Sequence, residues 1–154
     1  MHVPRYDHTQ RGKLHYFLHI AALAVATICL ITIPAAAGQI RVYIAIGTTA
    51  LLEFLAFSCI TLRVYDHENW LQLKYGPLPL MKRRIAYADI VATKPSRSKF
   101  IDGWGIHYIP GRGWTYNLWG FDCVELTMID NKIIRVGTDQ STELDAFLQD
   151  KISN

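Results

Sequence analysis

The sequence predicts a mixed α+β membrane protein: a helical hairpin of two transmembrane spans, then a β-sandwich or barrel of about seven strands closed by a C-terminal helix. Three observations carry that expectation. Two apolar stretches fill the N-terminal part of the chain, alternation of apolar and polar residues replaces them after Leu62, and an amphipathic stripe ends the sequence. The 154 residues suit about one folded domain. Their hydrophobic share of 51% and mean hydropathy of +0.12 are high for a soluble chain, with the excess near the N-terminus.

The first stretch, Leu14 to Ala37, runs 24 residues without Asp, Glu, Lys or Arg; the second, Val42 to Leu62, runs 21 residues with Glu53 as its one charge. About 20 apolar residues at 1.5 Å rise cross a hydrocarbon layer of roughly 30 Å. The first run is too long for the apolar part of a signal peptide. A second follows after only Gly38-Gln39-Ile40-Arg41, which demands two antiparallel helices. Arg5, Arg11 and Lys13 precede the hairpin, Arg63, Lys74 and Lys82-Arg83-Arg84 follow it, and the link holds Arg41 alone. That distribution places both termini in the cytoplasm and the link outside. Residues 1–13 are then a cytoplasmic tail, 14–62 the hairpin and 63–154 a cytoplasmic β domain.

From Arg63 to Asn154 the chain carries 12 basic and 11 acidic residues, a net of +1, which argues against a nucleic-acid module. Short strands are expected at Thr61–Tyr65, Trp70–Tyr75, Leu80–Ile85 and Ile90–Lys94, separated by turn residues. Cys29, Cys59 and Cys123 have neither disulfide nor metal-ligand spacing and read as small reduced hydrophobes; no metal or cofactor is expected.

Two hairpins follow. Gly103 to Gly120 holds five glycines and three tryptophans, yet it completes no dinucleotide pattern: Tyr108 and Tyr116 stand where a third glycine belongs. It also opens no helix, as a phosphate cradle does. A loop from Ile109 to Gly113 instead pairs Tyr108 with Trp114, Ile106 with Tyr116 and Trp104 with Leu118. That gives one aromatic, core-facing side and puts His107, Thr115 and Asn117 on the other. In the second hairpin, a loop Asp130-Asn131-Lys132 pairs Met128 with Ile134, Leu126 with Val136 and Val124 with Thr138, with Thr127 opposite Arg135. Asn131 or Lys132 must then adopt a left-handed conformation. A two-residue loop is rejected, because it sets Leu126 against Arg135. The final helix has Thr138 or Asp139 as cap, Glu143 in its first turn, and a stripe of Leu144, Phe147, Leu148 and Ile152.

Three stretches, "YGPLPLMKRRIAYADIVAT", "GWGIHYIPGRGWTYNLWG" and "VELTMIDNKIIRVGTDQSTELDAFL", resemble the pleckstrin-homology-like (PH-like) domains of small bacterial membrane proteins. The resemblance spans about Leu62 to Ile152 behind two spans in the same arrangement. It implies a curved β-sandwich closed by the terminal helix, in a bacterial inner (plasma) membrane protein. It brings few fixed ligand residues and no phosphoinositide specificity. Gln140-Ser141 and Asn131-Lys132 depart mildly from the usual helix-opening and turn residues.

Glu53 is the sharpest single residue. It lies nine residues before Leu62, about 13 Å deep at helical rise, where a carboxylate costs about 2.5–3.5 kcal/mol to insert. His19, five residues into the first span, is placed to meet it. A proton- or ion-linked site and a plain helix–helix contact both fit. Lys82, Arg83, Arg84, Lys94, Arg97 and Lys99 give residues 82–99 a net of +5 against Asp89, a candidate patch for anionic headgroups or a partner. An alternative use is a solvated, aggregation-resistant edge. The hairpin tip with Arg112 is a further contact surface. No catalytic motif occurs, and the dispersed His and acidic residues build none. The expected function is therefore a non-catalytic, membrane-anchored interaction or scaffolding module. It binds a protein partner or the anionic membrane surface, and its hairpin is free to self-associate. The alternative is an oligomeric transport- or channel-related subunit using Glu53 and His19; two spans enclose no path alone.

Overall fold

The computed structural model describes residues 4–34, 38–77, 81–99, 101 and 104–153. Two antiparallel helices, α1 (Leu14–Thr32) and α2 (Gln39–Ser58), are long and apolar enough to cross a membrane. Proline ends the first: Ile33, restricted by Pro34 after it, is already extended at φ −76°, ψ 122°. Side-chain hydroxyls within the apolar helices bond back one turn, Thr27 to the Leu23 carbonyl and Thr48 to that of Ile44. Their aliphatic side chains face outward; Ile20, Leu23 and Ile31 are 67%, 71% and 76% exposed.

The helices are flanked by paired strands. Before α1, β1 (Asp7–Arg11) runs antiparallel to β2 (Thr61–His67), from Asp7 opposite Tyr65 to Arg11 opposite Thr61. Residues 7–11, expected in a tail, form strand β1, and the second helix, expected over 42–62, starts at Gln39 and stops at Ser58. The strand Asp7-His8-Thr9-Gln10-Arg11 has no apolar alternation to announce it. Its one buried side chain, Gln10, is polar and donates to the Gly137 carbonyl at 3.0 Å.

Strands β1, β2, β3 (Trp70–Tyr75) and β4 (Lys82–Ala86) form an antiparallel sheet in that order. A single 3₁₀ turn leads to β5 (Ile90–Arg97), then β6 (Gly105–Ile109), β7 (Gly113–Asn117), β8 (Asp122–Met128) and β9 (Ile133–Gly137). These form the second sheet in the order β5-β8-β9-β7-β6, with β7 and β9 parallel. The barrel alternative is thereby corrected: the sheets stay separate and open, and one core joins them. Leu62, Val64, Leu71, Leu73 and Ile85 come from the first sheet, and Tyr116, Val124, Leu126, Ile134 and Val136 from the second. Each such aliphatic side chain contributes about 1.5–3 kcal/mol by leaving water. The final helix, α3 (Ser141–Ser153), adds fully buried Leu144 and Leu148 to this core, with Phe147 and Ile152 packed alongside. The Thr138 hydroxyl accepts the Gln140 N–H at 3.1 Å just before it.

The first hairpin has the expected register, Tyr108 opposite Trp114 and Ile106 opposite Tyr116, and the ladder runs on to Ile109 opposite Gly113. Gly113 is required twice: its φ is +87°, and a Cβ there lies 2.1 Å from the Ile133 carbonyl oxygen. Burial corrects the expected core face. Tyr116 and Leu118 are buried, but Ile106, Tyr108 and Trp114 are 38%, 57% and 38% exposed, while Thr115 and Asn117 on the other side are buried.

The second hairpin is shifted by two residues. Val124 faces Val136, Leu126 faces Ile134 and Glu125 faces Arg135, so the loop is Ile129-Asp130-Asn131. An even shift preserves both faces, which is why the apolar pattern could not detect it. The observed register unites Glu125 and Arg135 at 2.7 Å and gives Asn131 the left-handed φ of +60°.

Candidate functional site

The helix seam grows directly out of the β1–β2 ladder. After Arg11 opposite Thr61, the Gly12 N–H still reaches the Ile60 carbonyl at 3.0 Å. Eight residues beyond Arg11 stands His19, and eight before Thr61 stands Glu53. Equal lengths of helix bring His19 Nδ1 and Glu53 Oε2 to 2.7 Å, with both side chains 36% exposed. The Phe57 ring meets His19 edge-on at 6.0 Å. Because α2 ends at Ser58, Glu53 lies five residues from the helix end, about 7–8 Å rather than 13 Å.

The six expected basic residues do not form one patch. On β4 they alternate. Lys82 and Arg84 face outward, whereas Arg83 shares the inward side with Ile85, near Tyr116. The outer face of the first sheet adds cations missed in the sequence: Arg63 stands opposite Lys74, and Lys74 opposite Lys82, a row across three strands. Only the register reveals this row. Arg63 Nε donates to Asp7 at 2.8 Å and its guanidinium lies 4.7 Å from the Tyr65 ring centre; that hydrogen bond holds the Asp7 carboxyl below its ordinary pKa. Arg84 covers Trp70 at 5.0 Å, and Trp70 stacks on His67 at 4.3 Å.

Lys94 and Arg97 sit on β5, facing acids of the neighbouring strand: Lys94 meets Glu125 at 3.0 Å and Arg97 meets Asp122 at 3.7 Å. Lys94, Glu125, Arg135, Thr115 and His107 lie side by side across all five strands. Glu125 and Arg135 are buried; burial alone raises the Glu125 pKa, but Lys94 and Arg135 outweigh it and the net shift is downward. Arg135 Nη1 also donates to the Arg112 carbonyl at 2.6 Å, tying the β6–β7 tip to this row. Lys99 is exposed beyond β5.

The two ends of the β domain differ. Leu118, directly after β7, touches Gly12, where a Cβ falls 2.6 Å from its Cγ, and a Cβ on Gly76 falls 2.7 Å from the Phe57 carbonyl oxygen. These contacts set one end of the domain against the helices. Arg112 lies a full strand away, roughly 20 Å from Leu118 at strand rise. A cleft of about 560 Å³ opens at that far end, lined by Arg83, Asp89, Tyr108, Trp114, Met128 and Ile129 among others. The exposed aromatic side of the first hairpin is thus a cleft wall.

A third cluster is structural. The buried Asp66 carboxylate accepts from Tyr87 at 2.8 Å and from the Arg5 N–H at 3.2 Å, and it pairs with Lys151 of α3 at 3.2 Å. Burial works to raise its pKa, yet these donors outweigh burial and the net shift is downward. Among the described residues, no three His, Cys, Asp or Glu side chains gather as metal ligands. No family model matches the chain, and no curated protein does.

Proposed function

We propose that this chain is a membrane-anchored, non-catalytic interaction module of the bacterial PH-like kind, which holds its far cleft in the cytoplasm for a protein partner. The observation that carries the reading is the opposition of the two ends. Two helices with outward-facing aliphatic side chains adjoin one end of the β domain, and an aromatic cleft opens at the other. Two open sheets with a terminal helix in their common core support the PH-like assignment. Exposed Tyr108 and Trp114 are the rings from which a protein interface draws most of its energy. Flux across the membrane is not needed to explain Glu53, since His19 of the same hairpin already satisfies it.

A photo-cross-linking amino acid placed at Tyr108, with a control at Arg63 on the outer face of the first sheet, tests the reading in intact membranes. A discrete adduct from position 108 that is missing from position 63 is expected. No adduct from 108, or identical adducts from both, overturns it.

A further inference from the structure

We infer that the helix-proximal end of the β domain is a membrane foot, resting on the anionic phospholipids of the bilayer that its own helices cross. The inference depends on the anchored reading above and adds the surface that sets the domain's orientation. Trp119 follows Leu118, whose side chain touches Gly12 two residues before α1. Its ring stacks on Trp104 at 4.6 Å, and Phe121 lies 6.4 Å from Trp104. All three are partly exposed and lie outside the hydrophobic core, and Ile101 is 70% exposed. An amphipathic indole cluster at the end of an apolar helix suits the boundary between headgroups and acyl chains.

The surrounding charge is complementary to anionic lipid. Arg11 and Lys13 are exposed on either side of Gly12. Lys74 lies two residues from Gly76, about 7 Å beyond the helix end, with Lys82 beside it. Arg97, 74% exposed at the end of β5 although it meets Asp122 at 3.7 Å, and exposed Lys99 flank Ser98, whose N–H donates to the Phe121 carbonyl of the aromatic cluster at 2.7 Å. Headgroups occupy roughly 5–8 Å outside each face of the hydrocarbon layer, a depth that these long side chains span. Continuity with the helices favours the bilayer over a soluble anion as the occupant.

The unsubstituted full-length protein, reconstituted in nanodiscs of phosphatidylcholine and phosphatidylglycerol carrying a photoreactive acyl chain, tests this. Mapping of the labelled residues should place adducts on Trp119 or Phe121 as well as on both helices, and none on Pro110–Gly113. Arg97→Gln with Lys99→Gln should lower labelling at Trp119 at least twofold, and replacing phosphatidylglycerol by phosphatidylcholine should do the same. Labelled helices with neither Trp119 nor Phe121 labelled overturn the foot and leave the anchor intact. Unlabelled helices overturn both. Labelling at Trp119 that is insensitive to lipid charge overturns the anionic contact.

Discussion

His19 and Glu53 meet at 2.7 Å because each lies eight residues from the last pair of the β1–β2 ladder, Arg11 and Thr61. A strand pairing outside the helices thus sets the register of the helices themselves. Coupling between the two side chains should be measurable in nanodiscs. Glu53→Ala and His19→Ala should each lower the thermal midpoint, and the double variant should fall short of their sum by about 0.6–1.7 kcal/mol. Glu53→Gln, which still offers a hydrogen-bonding oxygen, should retain most of the stability. Strict additivity contradicts a direct contact. Proton flux in liposomes that Glu53→Gln abolishes would instead favour a transport role.

Asp66 should make the β domain acid-sensitive. Its folded pKa lies below the ordinary 3.8, so its contribution is complete above that value and is lost as pH falls below it. Asp66→Asn should flatten the acid limb of a urea-midpoint profile. Asp66→Ala should cost about 3 kcal/mol at neutral pH, since it leaves Lys151 and Tyr87 without their buried acceptor. An unchanged acid limb in Asp66→Asn contradicts the linkage.

The register of the second hairpin is open to covalent test. Thr127 faces Ile133, so T127C with I133C should form a disulfide under mild oxidation in a background lacking native cysteines. T127C with R135C, the pairing expected from apolar matching alone, should not. The reverse result contradicts the Glu125–Arg135 pair as the determinant of register.

Much of the fold is legible in the residues, and the gaps have physical causes. Apolar run length identifies both helices, and the α3 stripe fixes which side enters the core. The Tyr108–Trp114 register follows from its glycine-rich turn. The β1 strand escapes because its side chains are polar and bond to residues distant in sequence, such as Arg63 and Gly137, leaving no period-two apolar signal. The two-residue slip escapes because period-two patterning is blind to even shifts. The cation row Arg63–Lys74–Lys82 escapes because its members are far apart in sequence and adjacent only through two strand registers. Lys94 and Arg97 stand apart from it on the other sheet, beside acids of a strand that comes later in the chain, Glu125 and Asp122.

The far cleft should tolerate substitution. Tyr108→Ala and Trp114→Ala each remove a partly exposed ring, so thermal stability should change by less than about 1.5 kcal/mol, whereas Leu126→Ala in the core should cost about 2–5 kcal/mol. Denaturant midpoints of the three variants check this. A loss at Trp114 equal to that at Leu126 would make the ring part of the core and remove it from the proposed interface.

An anchored module requires the link between the two helices and the far end of the β domain to lie on opposite sides of the membrane. In a chain with Cys29, Cys59 and Cys123 replaced by alanine, one cysteine is introduced at Gln39 or at Arg112, and intact cells receive a membrane-impermeant maleimide. Position 39 should be labelled from outside, and position 112 only after the membrane is opened. Labelling of both positions from the same side contradicts the anchored module.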